Sequence, residues 1–84
     1  MPEFLLSELF AAKLEISPND LPQFEAHGII RSVSKNGHTY YSSRDFYQLK
    51  GVLHFMRNEG LSVEDAQERV THHKWEVAIA APAT

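Results

Sequence analysis

The chain of 84 residues contains no cysteine. It therefore has no disulfide framework and no thiolate ligands for a metal, a pattern that fits a reducing compartment. It also lacks any apolar run near the ~20 residues needed to span a bilayer. Its N-terminus has neither the basic region nor the cleavage site of a signal peptide. From these absences we expect a cytoplasmic protein that does not bind a membrane.

Motifs that carry catalytic or cofactor chemistry are also missing. The sequence has no glycine-rich phosphate loop, no nucleophile motif and no cofactor signature. His72-His73, with His54 elsewhere, could suggest a metal site, but adjacent histidines on a helix point about 100° apart. No acid or cysteine stands at ligand spacing from them. The acids Glu64-Asp65 and Glu68 fit a solvated, dipole-matched helix start better than a catalytic pair. We therefore expect no enzyme, no cofactor and no metal site.

Positive charge is scarce but unevenly distributed. The formal net charge is −3, which by itself argues against a nucleic-acid binder. Residues 27–57, however, contain one acid and five basic residues, a net charge of +4 that leaves −7 on the rest of the chain. The basic residues are Arg31, Lys35, Arg44, Lys50 and Arg57. This segment is either a surface that meets phosphate or an ordinary solvated face, and charge alone leaves both interpretations open.

The chain is short enough to form one domain. Its clearest local signal is Asn36-Gly37. This pair separates two β-prone runs, residues 29–33 and 38–41. Asn and Gly both accept the positive φ that a two-residue type I′ turn requires. We therefore predict a β-hairpin over residues 29–41. Gly28 can end a helix before it and Ser43 can cap a helix after it, which is the layout of a winged helix.

Two helices are predicted before the hairpin. Ser7 can cap the first, and Leu6, Leu9 and Phe10 share a face at helical spacing. Ser17-Pro18 is a strong start for the second helix, but Pro22 would cost on the order of 3 kcal/mol in a helix interior. Either the second helix starts later, with Asp20 as its cap, or Ser17-Pro18 form a separate turn.

Two further helices are predicted after the hairpin. The third would run from Arg44 to about Glu59 and end at Gly60, with a buried stripe formed by Phe46, Leu49, Val52, Leu53 and Met56. Ser62 would cap the fourth, whose buried side would consist of Leu61, Val63, Ala66 and Val70. We expect one domain over residues 1–72 and a tail over residues 73–84. The fold class is mainly α with a small β-hairpin.

Several segments, taken in their order and spacing, resemble MerR-type regulators over about residues 4–70. These segments are Phe4-Leu5-Leu6-Ser7-Glu8-Leu9, Phe24-Glu25-Ala26-His27-Gly28-Ile29-Ile30, Asn36-Gly37-His38-Thr39-Tyr40-Tyr41-Ser42 and residues 56–66. The resemblance implies a winged helix-turn-helix DNA-binding domain with Tyr41 buried and Tyr40 exposed. Such proteins usually dimerise through a longer helix and bind inverted repeats. A stand-alone domain, a piece of a larger regulator and a small relative such as an excisionase or a phage packaging subunit all remain open.

Some positions depart from the pattern of the family that the chain resembles. Pro22 stands where members typically carry an arginine that reaches DNA, and His38-Thr39 stand where Tyr-Arg often follows the wing glycine. The DNA contacts that remain possible are Asn19, Gln23, Arg31, Lys35, Asn36, His38, Tyr40 and Arg44. Asn19 and Gln23 share a face if one helix runs through both, and their side chains can bond adenine. Exposed polar residues without a ligand are the alternative interpretation.

Two functions follow from these observations. The first is a transcriptional regulator or architectural factor that binds double-stranded DNA, with the helix of residues 18–27 in the major groove and the wing of residues 29–41 on the backbone. The second is a protein-interaction module that kept the fold and lost DNA binding. In that case the apolar residues 75–79 would join a partner or a second copy in a homodimer.

Overall fold

The computed structural model describes residues 3–73 of the chain. Four helices and a three-stranded antiparallel sheet follow one another along these residues. In chain order they are β1 (Phe4–Leu6), α1 (Ser7–Lys13), a 3-10 turn (Pro18–Asp20), α2 (Leu21–Ala26), β2 (Val33–Lys35), β3 (His38–Ser42), α3 (Ser43–Glu59) and α4 (Val63–His73). The tail segment 75–79 lies outside the described residues. The predicted order of helix, helix, hairpin, helix and helix is confirmed.

The sheet has the order β1-β3-β2, so the hairpin is extended by a strand from the N-terminus. Phe4 lies opposite Ser42 in β3, and Val33 of β2 lies opposite Tyr40 of β3. The strand β1 was not predicted, because three apolar residues before a helix carry no strand signal of their own. The hairpin is shorter than predicted, since Ile29 and Ile30 lie buried ahead of β2 rather than within it.

The tip of the hairpin has the predicted turn. Asn36 and Gly37 have φ values of 53° and 79°. Positive φ at both central residues is the property of a type I′ turn, whose twist matches that of the two strands it joins. No atom lies within 4 Å of a Cβ built on Gly37, so the need for glycine here is conformational and not a matter of space.

One hydrophobic core joins the sheet to α1 and α3. The Phe10 ring stacks on Tyr41 with centroids 4.7 Å apart and meets the edge of Phe46 at 5.8 Å. Tyr41 is buried as expected, with 3% of its surface exposed. Tyr40 is half-buried, so the expectation that it would be exposed was wrong. Because side chains alternate along a strand, Tyr41 and Tyr40 point to opposite faces of β3.

The prediction that Leu6, Leu9 and Phe10 share a face of the first helix was wrong. Leu6 is 43% exposed and Leu9 is 47% exposed, whereas Phe10 is buried. Leu6 belongs to β1, where its neighbour Leu5 takes the core-facing position. Leu9 lies outside the buried part of α1, which consists of Phe10 and Ala11 and is continued by Leu14 just after the helix. Of the residues predicted to be buried along α3 and α4, Phe46, Leu49, Val52, Leu53, Ala66 and Val70 are buried. Met56, Leu61 and Val63 are only half-buried and pack against the core.

Two of the predicted helix caps are shifted by one residue. Leu6 rather than Ser7 precedes α1, and no side chain caps that helix. Ser42 rather than Ser43 caps α3, because β3 continues through Ser42 and leaves its backbone extended, with its Oγ accepting a hydrogen bond from the Asp45 N–H. The other two signals are confirmed: Gly60 ends α3 in the left-handed conformation, and Ser62 Oγ accepts from the Asp65 N–H.

The second helix has parts of both interpretations of Pro22, but the Asp20 side chain does not cap α2. Ser17 and Asp20 form a capping box around a separate 3-10 turn. The α-helix then begins at Leu21, so Pro22 lies in its first turn, where a missing N–H costs little. At the other end, the Gly28 N–H donates to the Glu25 carbonyl and the Ile29 N–H to the Phe24 carbonyl, the two bonds of a Schellman motif.

Candidate nucleic-acid interface

The side chains predicted to contact DNA are nearly all on the surface. Asn19, Gln23, Arg31, Lys35, Asn36, His38 and Arg44 are exposed, and Tyr40 is half-buried. These are polar side chains of the types that contact DNA phosphates or bases. Their exposure makes them available to a ligand.

Two carboxylates hold the base of the wing. Glu25, in α2, accepts a hydrogen bond from the Ser32 N–H at 3.3 Å and another from the Tyr41 hydroxyl at 3.0 Å. Asp45, in the first turn of α3, accepts a hydrogen bond from the Arg31 N–H at 2.9 Å. The entry to β2 is therefore fixed to the helix before the wing and to the helix after it. Sequence reasoning missed these two roles, because neither carboxylate stands near its partners in the chain.

The wing cations line two neighbouring grooves. Arg31 and Arg44 lie in a groove of about 800 Å³. Lys35, Asn36 and Tyr40 lie in a second groove of about 390 Å³, and Phe4 and Val33 line both. Within the wing itself, Lys35 lies directly opposite His38. The fold thus brings together six of the eight predicted contacts on and around the hairpin.

Asn19 and Gln23 stand apart from the wing grooves. Asn19 belongs to the 3-10 turn and Gln23 to α2. The condition for a shared face, one α-helix through both residues, is therefore not met. Their exposed side chains still belong to the helical segment that leads into the wing.

Two residues of the positive segment lie elsewhere. The Arg57 guanidinium donates to the carbonyl oxygens of Leu14 and Glu15, at 3.0 and 3.3 Å, just beyond the end of α1. A cation placed there complements the negative end of the helix dipole. Lys50 lines the same small cleft together with Lys13. The +4 segment is therefore divided between the wing, with Arg31, Lys35 and Arg44, and this structural cleft.

Among the described residues, the fold changes the pKa of Tyr41 most clearly. Burial, the hydrogen bond to Glu25 and the negative charge of Glu25 together raise the pKa of Tyr41 to about 12, and burial contributes most. The hydroxyl therefore remains protonated and donates to Glu25 at any physiological pH. The contact is a neutral donor on a carboxylate, which suits a fixed structural bond.

These features define a winged helix-turn-helix protein, in which two helical segments precede an exposed, anchored hairpin and a helix pair follows it. The sequence matches the family model of the MerR HTH family regulatory proteins over residues 7–72. The chain belongs to that family, whose members are DNA-binding transcription regulators. Comparisons with curated proteins and with solved structures found no match. No helix in the described part of the chain is long and apolar enough to cross a membrane.

Proposed function

We propose that this protein binds double-stranded DNA with residues 18–27 in the major groove and the wing, residues 29–41, on the phosphate backbone. The observation that carries the proposal is the anchored wing. Glu25 and Asp45 fix its base by hydrogen bonds, while Arg31, Lys35 and Arg44 remain exposed around it. A hairpin held this way presents its cations at a constant position relative to α2.

Different residue types would position the protein on the DNA and recognise the bases. Arginine and lysine neutralise phosphates and set the register of the protein on the duplex, which suits Arg31, Lys35 and Arg44. Asn19 and Gln23 carry amides that donate to and accept from the N7 and N6 atoms of adenine. The 3-10 turn presents Asn19 ahead of α2, and Pro22 restricts how the first helical turn approaches the bases.

A salt titration on duplex DNA tests the proposal. With four to six phosphate contacts per copy, the logarithm of the association constant should fall with the logarithm of salt concentration at a slope of about −4 to −5. Fluorescence anisotropy of labelled genomic duplexes measures this slope. Absence of binding at about 50 mM salt would contradict the proposal, because phosphate contacts are strongest there.

A further inference from the structure

The outer face of the sheet, turned away from the core, is unusually apolar for a surface. In residues 3–73 the large apolar side chains with the most exposure are Phe4 at 45%, Leu6 at 43%, Leu9 at 47% and Val33 at 43%. Three of these four belong to the strands β1 and β2. None of the three contributes to the hydrophobic core.

The strand register places these side chains on one face. Leu6 and Val33 both lie directly opposite Tyr40, one on each side of β3. Residues directly opposite each other in an antiparallel pair point to the same face, and so do residues two apart in one strand. Phe4 therefore joins Leu6, Val33 and Tyr40 in one patch, which we call the outer patch. Its neighbour in β1, Leu5, points to the core.

The outer patch contains a groove with a charge of one sign. The groove of about 390 Å³ is lined by Phe4, Val33 and Tyr40 together with Lys35 and Asn36, so its single ionic group is a cation. A groove of this size suits an aromatic or branched apolar side chain.

The groove beside the outer patch holds charges of both signs, and its cations are more exposed than its acids. Arg31 and Arg44 line the adjoining groove and are exposed. The two acids of that groove, Glu25 and Asp45, already accept main-chain hydrogen bonds. An incoming carboxylate would therefore find Lys35 in the groove of the patch and Arg31 and Arg44 in the adjoining groove.

An exposed apolar patch on an edge strand favours aggregation unless a partner covers it. In the described residues β1 and β2 are the two edges of the sheet, and charged residues or a cover usually protect such edges. Here β1 supplies Phe4 and Leu6, and β2 supplies Val33. Contiguous apolar surface rimmed by polar groups is typical of protein-binding sites.

We propose that the outer patch binds a segment of a partner protein in which apolar side chains alternate with carboxylates. An apolar side chain occupies the groove over Tyr40, and a neighbouring carboxylate pairs with Lys35. A nucleic acid fits less well, because the duplex backbone offers no apolar group to Leu6 and Val33. The inference concerns other residues than the tail segment 75–79. It shares Lys35 and Tyr40 with the predicted DNA contacts but does not depend on DNA binding.

Fluorescence anisotropy with two labelled synthetic peptides tests this inference on the full chain. One peptide alternates leucine and phenylalanine with glutamate, and the other replaces every glutamate by lysine. The wild-type protein should bind the acidic peptide and not the basic one. Combining Leu6→Ser with Val33→Ser should weaken that binding by about tenfold or more. Leu9→Ser is the matched control, since it removes a similar exposed leucine outside the sheet.

Several results would overturn the inference. They are equal binding of both peptides, equal weakening by Leu9→Ser, or an unaffected double variant whose folding is confirmed by circular dichroism. If sedimentation shows a wild-type dimer that the double variant dissociates, the occupant is a second copy instead. Loss of DNA affinity in the double variant would make the patch part of the DNA interface. A protein that binds the acidic peptide but no duplex DNA would contradict the proposed function and leave this inference standing.

Discussion

Glu25 and Tyr41 connect the end of α2 to the centre of the wing. The Tyr41 hydroxyl donates to Glu25 Oε2 at 3.0 Å, while Oε1 of the same carboxylate accepts from the Ser32 N–H. The Tyr41 ring stacks on Phe10 in the core. One carboxylate therefore fixes the wing to the preceding helix at two points, and the aromatic ring fixes it to α1.

Replacing Glu25 by alanine should destabilise the domain and loosen the wing. Two donors would lose their acceptor, and leaving part-buried donors unpaired costs about 1–3 kcal/mol. Urea unfolding monitored by circular dichroism measures the loss. Glu8→Ala serves as the control, since Glu8 is exposed and supports only the dipole of α1. Equal losses in the two variants would show that the carboxylate bridge contributes nothing.

Stability should fall at alkaline pH because of Tyr41. Its pKa rises from 10.0 to about 12 on folding, so the folded state keeps this proton between these two values while the unfolded state releases it. The contribution is fully present below pH 10 and is lost as the pH rises towards about 12. Tyr41→Phe should flatten this part of the profile of unfolding free energy against pH. It should also cost about 1 kcal/mol at neutral pH through the lost hydrogen bond. A wild-type profile no steeper than that of the variant would contradict the assignment.

Substitutions at two adjacent serines test which of them caps α3. Ser42→Ala should lower the free energy of unfolding by about 1 kcal/mol, since Ser42 Oγ holds the Asp45 N–H. Ser43→Ala, the matched control, should cost less than half as much, because Ser43 is the first residue of α3 and contributes its main-chain N–H to the Glu3 carbonyl. Thermal unfolding of both variants decides between the two positions. The reverse order of stability would restore Ser43 as the cap.

Charge reversal at the wing should remove DNA binding. Arg31→Glu combined with Lys35→Glu should lower affinity at least about a hundredfold at low salt and reduce the salt slope by about two. The control combines Lys13→Glu with Lys50→Glu. It changes the net charge equally but acts at the cleft beside α1 and α3. Electrophoretic shifts with duplex DNA measure both variants. Equal losses would show that net charge, and not the wing, governs binding.

The parts of the fold that depend on local chemistry were predicted from the sequence. Asn36-Gly37 required the turn, Gly60 ended α3 and Ser62 capped α4, because each acts through its own backbone or its nearest neighbours. The stripe of α3 followed from helical periodicity for the same reason. These signals do not depend on contacts with residues that are distant in the chain.

The parts that were missed depend on residues far apart in the chain. Phe4–Leu6 becomes a strand only because β3 offers it a free edge, and that pairing leaves Leu6 on the surface and moves the cap of α3 to Ser42. Glu25 and Asp45 find main-chain partners 7 and 14 residues away, which no spacing rule indicates.

By itself, the sequence determined the order of the elements, the turn at the wing tip and the residue types around it. Only the tertiary structure decided how the base of the wing is held and what Arg57 does instead of joining the wing. It placed Arg31, Lys35 and Arg44 at the grooves and used Arg57 to hold the carbonyls beyond α1. The physical reason is that backbone conformation is set largely by neighbours in the chain, whereas the position of a charge on the surface depends on how all the elements pack.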